Sequence, residues 1–469
     1  MLKRFLIGSF SIVFVATGAT TSSVLLFFDQ TAAKLKRVNT GHELTPVSNG
    51  GPQTILIAGS DRRHGDKKLG LKPRSDTIML VRVDPGKGVA LLSIPRDLKV
   101  RIPGHGMDKI NAAYSIGGPK LTIKTVKLLT GLKINHYVDI NFRGFAKAVD
   151  EVGCVYVDVD RRYFNNNAGL GVGQQYAVIN VKPGYQKMCG TRALEYVRYR
   201  HTDTDIVRGA RQQDFLRFVR QQLTVGKLIS KHQKLIDIFA RSTASDIRSS
   251  GALRRLFRVT LGVINKPLTQ VRFHLRLGAS YVYASSAQVQ NAVNHFLNVT
   301  AGKGPLGKER KKAPNARRTK RAHKKTNLIE ATVAGREQAA LADRNVRFPV
   351  YYARRLVPGS SYTGPPRTYK IETTDGRRRG AYRMVIFTGF IGEYYGVQGL
   401  AWKDPPILDD PSETRQIGNR QYLIFYNGDR VRLVGWKTRR GSYWVSNTLL
   451  QTLSRAEMID IARSLRRAG

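Results

Sequence analysis

Residues 71–85 read LKPRSDTIMLVRVDP. The run TIMLVRV is aliphatic save for one arginine and reads as a strand that wants burial. An Arg-Ser-Asp triplet, Arg74 to Asp76, stands directly at its mouth. Such charge is either an ordinary solubilising cap or half of an anion and metal site. The flanking sequence repeats the pattern. QTILIAGSD (53–61) is strand-like and ends on Ser60-Asp61, and GVALLSIPRD (88–97) ends on Arg96-Asp97. Helical spacing of apolar residues follows in LTIKTVKLLTGL (121–132) and FRGFAKAVDEVG (142–153). VYVDVDRR (155–162) and YAVINV (176–181) return to strand. GTRALEYVRYRH (190–201) and RGARQQDFLRFVRQQL (208–223) are amphipathic patterns with basic faces. The mixture predicts an α/β or α+β domain over 53–300, a mixed sheet flanked by helices.

The chain has 469 residues, enough for two or three domains, and 41% hydrophobic residues, enough for real cores. Its net charge of +46 draws polyanions: nucleic acid, anionic membrane or phosphate-rich polymer. The first residues narrow the choice. Lys3 and Arg4 precede an uncharged run from Phe5 to Phe28, long enough to cross a bilayer. Residues 1–30 are expected to be a transmembrane anchor with a cytoplasmic N-terminus and an exported remainder. A cleaved signal peptide is the rival, because Ala16, Gly18 and Ala19 are small. Export directs the charge toward membrane-surface or wall anions, with no specific nucleic acid. The two cysteines, Cys154 and Cys189, read as one disulfide in an oxidising compartment, with two separate thiols as the alternative.

Residues 31–52 read as a polar stalk. Residues 303–326 hold 11 Lys or Arg against one Glu, without apolar periodicity, so 301–344 is expected to be a basic linker. Over 345–469 the runs RTYKIETTDG, AYRMVIFTG, QYLIFYNGD, RVRLVGWKT and GSYWVSNTLL are strand-like, and LSRAEMIDIARSL ends the chain as a helix with Ser454 and Glu457 as a capping box. A smaller α+β accessory domain is the expectation. Trp402, Trp436 and Trp444 are either buried aromatics or sugar-stacking platforms.

The chemistry gathers at strand ends and in EYVRYRHTDTDIVRGARQQ (195–213). Arg198 and Arg200 are two apart and share a face when extended. Arg208 and Gln212 are four apart and share a face on a helix. Arginine binds phosphate bidentately, and carboxylates beside it suit a divalent cation held between protein and phosphate. No phosphate-binding glycine loop of the G-x-x-x-x-G-K type occurs.

GSDRR, PRSDTIMLVRVDP, LLSIPRDLKVRIPG, DKINAAYSIGG, YVDINFRGFAKAVDEVG and ALEYVRYRHTDTDIVRGARQQ follow one another between residues 59 and 213. In this order they resemble the LytR-CpsA-Psr family of cell-wall assembly enzymes. The resemblance implies a membrane-anchored, outward-facing phosphotransferase that moves an anionic glycopolymer, such as a teichoic acid or arabinogalactan, from undecaprenyl pyrophosphate to peptidoglycan. It implies Mg2+ (or Mn2+) at Asp61 and Asp76, and Arg74, Asp76, Arg96 and Asp97 at the reacting centre. Arg198, Arg200, Arg208 and Gln212 would grip the pyrophosphate, with Arg63 and Arg211 as weaker carry-overs. The segment HTDTD departs from the family pattern and leaves open whether Asp203 or Asp205 takes the acidic position. The lipid groove would be lined from LTIKTVKLLTGL and FLRFVRQQL. The paired cysteines, in GCVYVDVD and MCGTRAL, look like the actinobacterial branch. A hydrolase of the lipid carrier and a non-catalytic binder of anionic polymer are the alternatives.

Overall fold

The computed structural model describes residues 36–48, 50–60, 75–169, 171, 175–200, 202–247, 249–307 and 326–468. The expected anchor, the core of the basic run (308–325), and Asp61, Arg63 and Arg74 lie outside the described residues, as does the side chain of Asp76. Among the described residues no helix is long and apolar enough to cross a membrane.

The first unit comprises β1 (Lys36–Arg37), β2 (Gln53–Ser60), β3 (Ser75–Asp84), β4 (Gly88–Ile94), α1 (Ala112–Thr130), β5 (His136–Ile140), α2 (Phe142–Glu151), β6 (Val155–Val159), β7 (Gly184–Met188), α3 (Gly190–Arg198), α4 (Asp205–Gln222), α5 (Val225–Ser242), β8 (Thr243–Ser245), α6 (Ser250–Val263), β9 (Leu268–Gln270) and α7 (Ser286–Asn298). Its sheet runs β1-β8-β5-β2-β3-β4-β9. β5 joins β2 in parallel, whereas β2, β3 and β4 are antiparallel neighbours, so the sheet is mixed as the sequence predicts.

Strand alternation divides the residues of β2 and β3 between two faces. Leu56, Ala58, Ile78 and Leu80 pack against Ile123 and Val126 of α1 and Phe296 of α7. Ile55, Ile57, Val81 and Val83 face the other way and pack with Val259 and Val263 of α6. α1 therefore occupies the face opposite α6.

The second unit comprises α8 (Thr332–Asp343), β10 (Arg378–Phe387), β11 (Tyr394–Leu400), β12 (Glu413–Ile417), β13 (Arg420–Asn427), β14 (Arg430–Thr438), β15 (Gly441–Ser446) and α9 (Arg455–Ser464). Its antiparallel sheet runs β10-β11-β15-β14-β13-β12, extended at the β10 end by Arg367–Glu372 and Ser361–Tyr362. The Ser454–Glu457 capping box starts α9. The expected linker is shorter than 301–344. Ala339 and Ala342 of α8 are fully buried in the second unit's core, and the Leu306 amide binds the Leu450 carbonyl at 2.7 Å.

The second sheet is buried on both faces. Ile424, Val434 and Tyr443 pack under Met458 and Ile461 of α9. Their neighbours Phe425, Leu433 and Trp444 share a core with Val157 and Tyr185 of the first unit and Phe215 and Phe218 of α4. Trp444 donates to Asp158 at 3.0 Å, and the buried Arg383 reaches the same carboxylate at 3.2 Å. Trp436 is buried as well, so neither of these tryptophans offers a sugar platform. Burying one such aromatic is worth roughly 2–3 kcal/mol, so this shared core makes the second unit part of the body rather than a tethered module.

Cys154 and Cys189 are bonded, closing a loop of 35 residues over β6 and β7. Replacing both by serine is expected to cost about 4 kcal/mol from loop closure. A lower urea midpoint in the double variant checks this; an unchanged midpoint contradicts it.

Candidate active site

A cavity of about 140 Å³ opens on the α6 side of the central sheet. Ile57, Met79 and Ile140 form its floor, and Phe145 of α2, Leu194 and Val197 of α3, and Phe215 and Leu216 of α4 form its walls. Its polar lining is Thr77, Asn141, Arg198, Arg200, Arg208 and Gln212, with Tyr176 beside them. The chamber thus combines aliphatic walls with three guanidinium groups. That suits an amphiphile with an anionic head.

Local sequence explains the placement. Gly59 pairs with Thr77 and Ile57 with Met79, so all four share one face. A Cβ at Gly59 would meet the Thr77 Cβ at 3.1 Å, so the glycine keeps this end open. Ser60 pairs with Ser75, which brings together the two strand ends from which Asp61 and Arg74 continue in sequence. On α4, Arg208, Gln212, Phe215 and Leu216 recur at helical spacing and face the cavity together. Thr204 caps the helix, accepting from the Val207 amide.

Gln212 ties the walls together. Its Nε2 donates to Thr77 Oγ1 at 3.0 Å and to the Val197 carbonyl at 3.2 Å. Arg208 is buried and meets Asp205 at 2.9 Å, and the same carboxylate meets Arg96 at 3.2 Å. Burial raises the Asp205 pKa, and Arg208 and Arg96 oppose that rise. Arg96 lines a second, smaller cavity of about 40 Å³, which shares Thr77, Arg208 and Gln212 with the first. The Arg200 guanidinium lies 4.9 Å from the Tyr176 ring.

The model of the LytR_cpsA_psr family matches residues 22–297, more than half of the chain. The chain belongs to the LytR-CpsA-Psr family. It is 35% identical over 202 residues to the polyisoprenyl-teichoic acid–peptidoglycan teichoic acid transferase TagU of Oceanobacillus iheyensis, covering 41% of this chain and 58% of that protein. It is 38% identical over 194 residues to the probable cell wall biosynthesis protein LcpB of Corynebacterium glutamicum, covering 39% and 44%. The chain thus spans about half the length of these curated relatives. Among solved structures, TagT bound to LI-WTA aligns with a TM-score of 0.42 at 25% identity, over 56% of this chain and 97% of that one. The LytR-Csp2A-Psr enzyme from Actinomyces oris aligns with a TM-score of 0.45 at 21% identity, over 56% and 95%.

In this LytR-CpsA-Psr chain the structure brings Arg198, Arg200, Arg208 and Gln212 to one cavity and Arg96 to its neighbour. Asp97 pairs with Lys109 at 2.9 Å and lies 3.6 Å from Arg96, behind that wall. Of the two open acidic positions, Asp205 is the one that meets site arginines. The two stretches expected to line the lipid groove lie on different faces of the sheet. Phe215 and Leu216 line the cavity, whereas 121–132 packs on the opposite face of the sheet through Ile123 and Val126. Thr77 and Asn141 were not singled out from sequence, although Thr77 shares the two-residue phase of Gly59; Tyr176 carried no signal. The expected magnesium ligands are Asp61, which lies outside the described residues, and Asp76, whose side chain does. The one cluster of ligand-type residues that the described residues form is Asp150 with Cys154 and Cys189, whose sulfurs are bonded to each other.

Arg211 departs from its expected role. It is fully buried, and its guanidinium is held by Asp203 and by the Tyr199 carbonyl. Burial opposes its charge, yet Asp203 holds its pKa above the usual range. Nearby, the buried Asp160 accepts from the Tyr163 hydroxyl at 2.6 Å. Burial pushes its carboxyl up to about 6 from 3.8. The folded state therefore favours protonated Asp160, a contribution whole below about pH 4 and lost as pH rises through about 6. Asp160→Asn keeps an acceptor for Tyr163. It is expected to raise unfolding stability at pH 8 by roughly 2–3 kcal/mol and to change little at pH 3.5. Urea titrations at the two pH values check this, and an equal effect at both contradicts it.

Proposed function

We propose that this chain is an extracytoplasmic phosphotransferase, anchored through residues 1–30, that attaches an undecaprenyl-pyrophosphate-linked anionic glycopolymer to peptidoglycan. The single observation that carries the reading is the aliphatic cavity lined by Arg198, Arg200, Arg208 and Gln212. A polyprenyl tail has an apolar wall to lie on, and a pyrophosphate has guanidinium donors within the same chamber. The names of the relatives, a teichoic acid transferase and a cell wall biosynthesis protein, point the same way.

In this mechanism a sugar hydroxyl of peptidoglycan attacks the phosphorus nearest the glycan. The new O–P bond forms as the bond from that phosphorus to the bridging oxygen breaks. Undecaprenyl phosphate leaves with the electron pair. Arg198, Arg200 and Arg208, joined by Arg63, Arg74 and Arg96, offset the charge that builds on the leaving phosphate. The hydroxyl proton passes to a carboxylate. The candidates are Asp76 and Asp97, the latter paired with Lys109. Asp61 and Asp76 would hold a magnesium ion, which supplies charge neutralisation on the pyrophosphate. The basic surface of a +46 chain favours approach to anionic lipid and polymer.

The test is transfer of phosphate-linked glycan from a synthetic polyprenyl-pyrophosphate donor to a peptidoglycan oligomer. Arg200→Ala and Arg208→Ala are each expected to lower kcat about 100- to 1000-fold, the range for losing one transition-state donor. Carrier cleavage without transfer would make the chain a hydrolase. Tight donor binding without turnover would make it a polymer-binding protein.

A further inference from the structure

We infer that Asp203, with Arg161 and Arg211, is a positioning cluster that fixes the cavity arginines Arg198 and Arg200, and that the C-terminal unit completes it through Tyr394. The inference rests on the proposed pyrophosphate site. Arg198 is the last residue of α3, and Tyr199 leaves the helix with φ −54 and ψ 134. Arg200 therefore projects from a segment beyond the helical ladder, and side chains hold that segment.

Those side chains grip the segment at three points. Arg211 Nη2 takes the Tyr199 carbonyl, between the two cavity arginines. Arg161 Nη2 donates to Thr202 Oγ1 at 3.0 Å, and the Tyr199 hydroxyl lies 3.1 Å from the same oxygen. Asp203 spends one carboxylate oxygen on Arg161 and the other on Arg211. The side chains of Asp203 and Arg211 are wholly inaccessible to solvent. Neither Asp203, Arg161 nor Arg211 lines the cavity, so none of them can grip the head group. A buried ion pair adds little net stability because desolvation offsets its attraction, whereas removing one partner is costly. Such a cluster serves geometry better than it serves stability.

The C-terminal unit closes the outer side. The Arg161 guanidinium lies 4.5 Å from the Tyr163 ring, 5.4 Å from the Tyr199 ring and 5.2 Å from the ring of Tyr394 on β11. Two residues earlier the chain at Gly392 presses on α4: a Cβ there would meet Val207 at 2.5 Å, and φ is +77. Val207 adjoins Arg208. One connection between β10 and β11 therefore braces both arginine-bearing segments.

The experiment uses the full chain in detergent and compares geranylgeranyl pyrophosphate with geranylgeraniol by calorimetry. Wild type is expected to prefer the pyrophosphate, the alcohol reporting the apolar walls alone. Tyr394→Ala, which removes only the ring, is expected to cut that preference about tenfold, the scale of one desolvated cation–π contact. Asp203→Asn is expected to cut it further, Tyr394→Phe to restore it, and alcohol binding to stay unchanged. An unchanged preference in both Tyr394→Ala and Asp203→Asn, or equal weakening of both lipids, would overturn the positioning role. A wild-type chain that binds both lipids equally would remove the functional reading, and this inference with it.

Discussion

Two guanidinium groups one turn apart on α4, Arg208 and Arg211, are buried almost completely. A guanidinium out of water is tolerable only beside a carboxylate or a set of carbonyls. The start of the helix supplies both partners, Asp205 in its first turn for Arg208 and Asp203 just before it for Arg211. This requirement sets how α4 lies. Arg208 lines the cavity while buried because Asp205, itself paired with Arg96 in the neighbouring cavity, offsets its charge. Arg211, outside the cavity lining, donates to the Tyr199 carbonyl and so orders the chain that bears Arg198 and Arg200.

The same helix joins the two units. Its cavity face carries Gln212 and Leu216, while Gln221 donates to the Pro406 carbonyl at 2.8 Å and Phe218 enters the shared core. The second sheet consequently has no free face, since α8 and α9 cover one side and the first unit the other. A further polar tie lies just after β9, where the buried Arg272 reaches the Asn427 carbonyl at 2.7 Å. Burial lowers its pKa to about 10. These contacts make the C-terminal unit a structural wall behind the site.

The strands of the first sheet were legible because they are near-continuous apolar runs whose ends carry charge. The α9 capping box was legible because two residues define it. Arg208 and Gln212 were legible as a helical pair. Arg211 was misjudged because sequence spacing gives the angle between side chains but not which side faces a cavity. For the same reason 121–132 was as good a groove wall as 215–216. That Asp205 meets Arg96 and Arg208 while Asp203 meets Arg161 and Arg211 needed the fold, since both stand beside arginines in sequence. The union of the two units was hidden because an alternating strand such as QYLIFYN has two apolar faces, and nothing local says that another sheet covers the second.

The measurement that bears most directly on the account is photo-crosslinking with a polyprenyl pyrophosphate carrying a diazirine on its tail, with the full chain in lipid nanodiscs and peptide mapping of the label. The account predicts label on 142–151 and 205–222, at Phe145, Phe215 and Leu216, and competition by inorganic pyrophosphate. Label on 112–130, or confined to the C-terminal sheet, would contradict it, because the tail would then lie away from the cavity that Arg198, Arg200 and Arg208 line.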